Sequence, residues 1–241
     1  MIHYVCKYTP LELFKGFGEE CAVLEEMPEN FEQLILVNCC DSMRRVYDIV
    51  ESTGKCKFLY MLDMPHEDND CEKVKLAQGI HRLKKAYEKF SGKTFDRSGF
   101  LNAFSHEPVD NQPYIGVLGV RVSGILEKMI RDNIRMDVEN LTCTGGRRLA
   151  VIREELEKME DDAMFLAYAD ALLSQMPCFR MNNSTRRNRL YLDPNLKGII
   201  YHTIKFCDYY GFEYASIKRD IKVPLLKIET DFTSQSAGQL L

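Results

Sequence analysis

Short apolar runs alternate with longer amphipathic stretches along most of this chain, and this pattern constrains the fold more than any other feature. Strands of a parallel sheet are buried on both faces and appear in the sequence as short apolar runs, while the helices that connect them are amphipathic. The alternation therefore predicts an α/β protein. The predicted strands are 21–25, 34–38, 58–63, 115–119, 136–141, 198–203 and 224–229. The predicted helices are 10–16, 42–52, 71–90, 123–133, 147–176 and 209–222. The long stretch at 147–176 is a candidate for division into two helices.

A polar stretch over 105–113 interrupts this alternation. It contains Pro108 and Pro113, and proline punctuates loops, so we interpret it as a linker. The predicted architecture is two Rossmann-like (flavodoxin-like) parallel-sheet halves, an N-terminal half at 1–105 and a C-terminal half at 106–241. The first half is unusually thin in strands.

Composition excludes several classes of protein. A hydrophobic content of 45% supports a real core, yet no apolar run approaches the roughly 18 residues of a membrane span. The first residues lack the basic-then-apolar layout of a signal peptide. A formal net charge of -4 argues against nucleic acid as the main partner. We expect a cytoplasmic protein with neither a membrane nor a nucleic-acid partner.

The nine cysteines are the main clue to function. Thiols stay reduced in the cytoplasm, so this number points to metal or redox chemistry rather than to disulfides. Ligands of open α/β sheets bind outside the carboxyl ends of the strands. Four cysteines come just after a predicted strand, namely Cys39, Cys40, Cys143 and Cys207. Thiolates placed there suit a soft metal or an iron–sulfur cluster.

Each cysteine motif also has an ordinary structural interpretation. Adjacent Cys39 and Cys40 suit two metal centres, or one ligand and one buried thiol, because free cysteine is often buried. The turn at 142–148, TCTGGRR, either lets backbone amides and a following helix start approach an anion or sulfide, or is an unremarkable turn. Cys56 and Cys71 lie in polar segments and are interpreted as ordinary thiols.

Other polar groups give weaker signals. His202 either orients a metal ligand or packs in the core, and the second is the commoner case. The basic clusters 44–45, 147–148 and 186–189 are either solvated faces or contacts to phosphates or to an acidic partner surface. The sequence has no GxxxxGK(S/T), GxGxxG or GxSxG motif, so any ATP that drives its chemistry must be hydrolysed by another polypeptide.

Several motifs together resemble the benzoyl-CoA reductase/2-hydroxyacyl-CoA dehydratase superfamily, which includes the 2-hydroxyglutaryl-CoA dehydratase D-component. They are the C-terminal GIIYHTIKFCD at 198–208 with VPLLKIETD at 223–231, the cysteine motif CDSMRR at 40–45, and YTPLEL at 8–13. The resemblance implies a two-domain α/β subunit with a 4Fe-4S cluster on three cysteines in the cleft between its halves. It also implies a separate activator ATPase, with its own iron–sulfur cluster, that delivers the electron.

Within that superfamily the chain looks most similar to the double-cubane cluster proteins, which hold an 8Fe-9S centre. The resemblance implies that five thiolates bind the cluster, namely Cys39, Cys40, Cys143, Cys178 and Cys207. It also implies a sixth cysteine, in a segment that relatives have between Gln33 and Leu34 and that is absent here. Relatives also continue past the last residue into a final helix. The chain therefore looks shortened, and Cys6 or Cys21 is the alternative sixth ligand.

Three functions stay open at this point. The first is an iron–sulfur redox enzyme of the double-cubane type, which takes low-potential electrons from the activator and reduces a small substrate. The second is a 2-hydroxyacyl-CoA dehydratase subunit, a lyase acting on an (R)-2-hydroxyacyl-CoA, with Arg186, Arg187 or Arg189 as phosphate contacts. The third is a cluster-free binding or assembly protein. Relatives work as homodimers or heterodimers.

A geometric prediction follows from two Cys-Asp steps, Cys40-Asp41 and Cys207-Asp208, in equivalent positions of the two halves. Both aspartates are predicted to cap helices. If one cluster is shared, the sulfur atoms of Cys40 and Cys207 face the same cleft within about 15 Å, since a metal–thiolate bond spans only about 2.3 Å.

Overall fold

The computed structural model describes residues 1–25, 32–104, 112–151, 153–181, 184–205 and 207–231. Its strands are β1 (Ile2–Tyr4), β2 (Cys21–Val23), β3 (Gln33–Val37), β4 (Phe58–Leu62), β5 (Tyr114–Gly119), β6 (Asp137–Asn140), β7 (Leu196–Ile204) and β8 (Leu225–Thr230). Its helices are α1 (Leu11–Lys15), α2 (Asp41–Thr53), α3 (Asp70–Ser91), α4 (Arg97–Leu101), α5 (Gly124–Asn133), α6 (Arg153–Glu157), α7 (Asp161–Leu173), α8 (Ser184–Tyr191) and α9 (Asp208–Asp220).

The chain divides into two compact units. Unit 1 contains Met1–Glu107 and Arg148–Gln175, and unit 2 contains Pro108–Arg147 and Met176–Leu241. The segment Arg148–Gln175 thus belongs to unit 1, although it follows the first part of unit 2 in the sequence. A division of the chain into two continuous halves assigns this segment to the C-terminal half. Residues 105–111 of the expected linker lie outside the described part of the chain.

Unit 1 is built on a parallel sheet of strand order β2-β1-β3-β4. Strand β3 runs between β1 and β4, and its residues 34–36 are fully buried, as expected for a central strand covered on both faces. The register pairs His3 with Leu34 and Val37 with Leu62. This register places the carboxyl ends of β1, β3 and β4 along one edge of the sheet.

Helix α7 joins unit 1 through an aromatic core. Its Phe165 ring lies 5.7 Å from the Phe100 ring and 4.5 Å from the His81 ring, measured between centroids. Phe165 and Tyr168 are almost fully buried. The Tyr168 hydroxyl donates to the Glu12 carboxylate on α1 at 2.6 Å. Apolar residues cover most of the surface of α7, as expected of a helix buried on several sides.

Unit 2 repeats the plan with a parallel sheet of order β6-β5-β7-β8. The long central strand β7 is buried along most of its length. Strand β5 ends at Gly119, where φ is +94° and a Cβ atom would lie 2.1 Å from the carbonyl oxygen of His202. Only glycine fits this close approach, which fixes where the chain leaves the sheet.

The α/β architecture of two Rossmann-like halves with parallel sheets is confirmed, and all seven predicted strands exist. Strand β1 and helices α4 and α8 were not predicted, and the 147–176 stretch is broken into α6 and α7. Within the described residues, no helix combines the length and apolar character needed to cross a membrane.

Candidate functional site

Both Cys-Asp steps lie at the same place, between a strand and the helix that follows it. In unit 1, Cys40 is the N-cap residue of α2, three residues beyond the end of β3. In unit 2, Cys207 is the N-cap residue of α9, three residues beyond the end of β7. Asp41 and Asp208 are therefore not the caps that were predicted. They lie in the first helical turn, where a carboxylate interacts favourably with the helix dipole.

Asn38 fixes the backbone just before the Cys39-Cys40 pair. Its side-chain amide donates to the Asp63 carboxylate at 2.8 Å, and its side-chain oxygen accepts from the backbone N–H of Met64 at 2.8 Å. The segment after β3 is therefore held to the segment after β4. Asn38 was missed from the sequence, although its position directly before Cys39 was a usable signal.

The two alternative cysteines of unit 1 lie at opposite edges of its sheet. Cys6 follows β1, which pairs with β3, so it lies at the carboxyl edge that also carries Cys39 and Cys40. Cys21 begins β2 and lies at the amino edge. Of these two, Cys6 is the one placed for ligand binding at the carboxyl edge. It is buried.

Three predicted ligands, Cys143, Cys178 and Cys207, belong to unit 2. Cys143 and Cys207 pack against one hydrophobic cluster, which contains Tyr201 and Tyr210. Cys178 is buried, and the phenol of Tyr210 is close enough to Cys143 and Cys178 for both thiols to influence its ionisation. The fold thus gathers these three cysteines around the start of α9.

Aromatic contacts join the Cys178 segment to the Cys207 segment. The Phe179 ring lies 5.0 Å from the Tyr209 ring, and the Arg180 guanidinium lies 4.2 Å from the Tyr209 ring centroid. A cation over an aromatic face is attracted by the ring quadrupole. Because Phe179 follows Cys178 and Tyr209 follows Asp208, these contacts set the spacing of the two cysteine-bearing segments.

The turn that carries Cys143 is shaped by Asn140. Its side-chain oxygen accepts from the hydroxyl of Thr142 at 2.7 Å and from the Thr142 backbone N–H at 3.2 Å. A Cβ atom at Gly145 would lie 2.1 Å from the same oxygen, so the glycine is required by packing. The next helix, α6, begins only at Arg153. The predicted helix start at 147 is wrong. Packing within the turn explains Gly145, without a bound anion or sulfide.

A buried ion pair holds the segment that leads to Cys178. Arg187 donates through Nε to Glu213 at 2.6 Å, and their side chains are only 7% and 2% exposed. Through Nη1, Arg187 also donates to the carbonyl of Pro177 at 2.9 Å. Burial is the largest single effect and lowers the pKa of the Arg187 guanidinium, but Glu213, Tyr191 and Tyr210 together raise it by more, so the net shift is upward.

Arg187 is therefore a structural residue, and its interpretation as a phosphate contact or a solvated charge is wrong. The Tyr191 hydroxyl donates to the same Glu213 carboxylate at 3.1 Å, and the Tyr201 hydroxyl lies 2.5 Å from its other oxygen. Arg189 is exposed and Arg186 is half-buried, and both are still candidates for phosphate contacts.

Tyr210 is the residue of this site that the sequence did not single out. It is 3% exposed, and its hydroxyl has no hydrogen-bond partner among the described residues. Burial raises the pKa of Tyr210 first, and the neighbouring Cys143 and Cys178 raise it further. Its place two residues after the Cys207-Asp208 step was the available signal.

His202 belongs to the core rather than to a ligand site. It is fully buried in β7. Its Nδ1 donates to the carbonyl of Val120 at 3.1 Å, so its Nε2 accepts from the Thr230 hydroxyl at 2.8 Å. Burial lowers the pKa of His202, which keeps the ring neutral.

The remaining cysteines have ordinary surroundings. The Cys56 thiol lies 3.2 Å from the carbonyl of Phe58, and burial raises the pKa of Cys56. Cys71 is exposed near the start of α3. These positions agree with the interpretation of both as plain thiols.

The chemistry of unit 2 fits a thiolate-bound iron–sulfur group. Cys143 and Cys207 pack against one group of apolar residues and Cys178 is buried, and cysteine thiolates are the usual ligands of an iron–sulfur cluster. A buried hydroxyl also lacks an acceptor that a bound sulfur atom would supply. Over the residues described, no three His, Cys, Asp or Glu side chains converge closely enough to hold a metal ion. Cys40 belongs to unit 1 and Cys207 to unit 2, and their approach stays a prediction.

One family model matches the chain. It describes the 2-hydroxyglutaryl-CoA dehydratase D-component, and it matches residues 109–241, which is more than half of the sequence. Cys143, Cys178 and Cys207 lie within the matched residues, whereas Cys39 and Cys40 lie outside them. No curated protein matches the chain.

Proposed function

The chain belongs to the 2-hydroxyglutaryl-CoA dehydratase D-component family, and on that premise we propose that it is the iron–sulfur component of a two-part redox enzyme. Cys143, Cys178 and Cys207 of unit 2 would hold the cluster, with Cys39 and Cys40 of unit 1 as further ligands. The observation that carries this proposal is the gathering of three cysteines around the start of α9.

The chain itself would hold and insulate the cluster. Hydrogen bonding, burial and solvent access set the potential of a cluster in a protein. Unit 2 supplies an apolar cluster beside the thiols, and the Arg187–Glu213 pair holds the Cys178 segment in place. When bound, the cluster would supply one-electron transfer.

The partner we propose is a separate ATP-dependent activator with its own iron–sulfur cluster. The family name supports a component that works with others, because it describes one component of a dehydratase. The sequence, which has no phosphate-binding GxxxxGK(S/T) loop, supports the assignment of ATP hydrolysis to a different polypeptide.

Five candidate ligands favour a double-cubane cluster and reduction of a small substrate. A single 4Fe-4S cluster on Cys143, Cys178 and Cys207 leaves the adjacent pair Cys39 and Cys40 without a role. The second candidate is a 2-hydroxyacyl-CoA dehydratase subunit, which the family match favours.

Anaerobic reconstitution with iron and sulfide tests the proposal. We expect about eight irons per chain for a double cubane and about four for a single cubane. Cys143→Ser, Cys178→Ser and Cys207→Ser should each lose iron, and Cys71→Ser, at an exposed position, is the matched control. Fewer than about three irons per chain in the wild-type protein would contradict any cubane.

Addition of an acyl-CoA to the reconstituted protein separates the two candidates. A dehydratase should change its EPR spectrum when a 2-hydroxyacyl-CoA binds next to the cluster. An unchanged spectrum would leave the reductase as the supported candidate. Iron content equal to background in every variant would instead favour the cluster-free binding protein.

A further inference from the structure

The buried hydroxyl of Tyr210 is a polar group of unit 2 whose surroundings the core does not explain. Tyr210 is the third residue of α9 and is 3% exposed. Its ring packs within the hydrophobic cluster against which Cys143 and Cys207 lie. Its hydroxyl has no hydrogen-bond partner in the described part of the chain. Buried polar groups are nearly always paired, so each exception requires an explanation.

The neighbouring tyrosines show that this part of unit 2 can supply hydrogen-bond acceptors to a phenol hydroxyl. The Tyr201 hydroxyl reaches the Glu213 carboxylate at 2.5 Å and the carbonyl of Tyr210 at 3.1 Å. The Tyr191 hydroxyl donates to the same carboxylate at 3.1 Å. The Tyr210 hydroxyl takes no part in this network. Phenylalanine would fill the same volume without the cost of a buried, unpaired hydroxyl.

Thiols are among the groups close to Tyr210. Cys143 packs against the hydrophobic cluster that contains Tyr210, and the charges that act on Tyr210 are those of Cys143 and Cys178 followed by those of Arg187 and Glu213. The Phe179 ring, next to Cys178 in sequence, lies 6.3 Å from the Tyr210 ring. A thiol is a weak acceptor, whereas thiolate and sulfide are negatively charged and accept hydrogen bonds well.

We propose that the Tyr210 hydroxyl donates a hydrogen bond to a sulfur atom of the group held by Cys143 and Cys178, and that this bond raises the reduction potential of that group. This inference rests on the function proposed above. Reduction adds negative charge to a cluster, so a donor beside its sulfur stabilises the reduced form more than the oxidised form. Tyr210 is thus a positioning and tuning residue and not a ligand.

Tyr210→Phe removes the hydroxyl and keeps the ring. Tyr191→Phe is the matched control, because it removes a paired hydroxyl from the same unit. Without iron, Tyr210→Phe should unfold at the same temperature as the wild-type protein or higher, whereas Tyr191→Phe should unfold at a lower temperature. A loss of stability in apo Tyr210→Phe equal to that of Tyr191→Phe would show a partner within the protein, and would overturn the proposal.

In the reconstituted protein, Tyr210→Phe should bind as much iron as wild type and have a more negative midpoint potential. Tyr191→Phe should keep the wild-type potential. Electron–nuclear double resonance in deuterated buffer should detect an exchangeable proton coupled to the wild-type cluster, and this proton should be missing in Tyr210→Phe. Equal iron content with an unchanged potential and an unchanged proton signal would refute the role of Tyr210 alone. Absence of iron from wild type would refute the proposed function, and this inference with it.

Discussion

Replacing Glu213 with glutamine should expose what the buried ion pair does for the cysteine site. The change keeps the shape of the side chain but leaves the Arg187 guanidinium, whose side chain is 7% exposed, without its counter-charge. Removing one partner of a buried pair costs about 3–5 kcal/mol, because the remaining charge stays desolvated. Arg187 also donates to the carbonyl of Pro177, so we expect the loss to fall on the segment that carries Cys178.

Thiol labelling of Cys178 measures this loss. Each 1.4 kcal/mol changes an equilibrium about tenfold, so a local opening that exposes Cys178 should become about 100- to 4,000-fold more populated in Glu213→Gln. Cys178 is buried, and its labelling rate reports that opening. Peptide mapping by mass spectrometry separates Cys178 from the other cysteines.

Two controls make the result specific. Asp132→Asn breaks the exposed pair between Lys128 and Asp132, and should change Cys178 labelling by less than about twofold, as for surface pairs in general. The double variant Arg187→Met/Glu213→Leu removes both charges and should label more slowly than Glu213→Gln. If Glu213→Gln labels Cys178 at the rate of Asp132→Asn, the ion pair does not hold that segment.

Three further changes test the framework around the site. Because burial lowers the pKa of His202 below its ordinary value of 6.5, its neutral form stabilises the fold and this contribution is lost as pH falls below about 6.5. The stability advantage of wild type over His202→Gln in urea unfolding should therefore shrink between about pH 7.5 and 5.5, and a constant difference would contradict the neutral ring. Gly119→Ala should destabilise unit 2 by about 1–3 kcal/mol in thermal unfolding, since φ is +94° and the new Cβ would meet a carbonyl, whereas Gly211→Ala, in a helix with open space around it, should be stabilising. Asn38→Ala should lose two hydrogen bonds and cost about 1–3 kcal/mol, seen as faster amide exchange in residues 38–41, and unchanged exchange would refute its role.

The sequence predicted the elements that have strong local signals. Most of the predicted strands are apolar runs, and each predicted strand exists. Strand β1 has only three residues, too few for a periodic signal to stand out. Helix α8 was not predicted because its sequence is polar and rich in arginine. Arg187 is nevertheless buried, since it pairs with Glu213, which is distant in sequence and which no local pattern indicates.

Tertiary contacts decided the features that the sequence did not predict. Helix α7 is apolar on most sides, so its pattern indicates burial but not the unit in which it is buried. The positions of Cys40 and Cys207 at helix starts followed from strand–helix alternation. The unpaired state of the Tyr210 hydroxyl did not, because it depends on which side chains from several elements surround it.

The central claim is that the cysteines of unit 2 bind an iron–sulfur cluster, and iron K-edge X-ray absorption of the anaerobically reconstituted protein tests it most directly. We expect iron coordinated by sulfur alone at about 2.3 Å, the usual length of a metal–thiolate bond. Cys143→Ser and Cys178→Ser should reduce this sulfur signal, while Cys71→Ser should leave it intact. Iron bound mainly by nitrogen or oxygen at about 2.0–2.2 Å, or a spectrum that none of these serine variants alters, would contradict the claim.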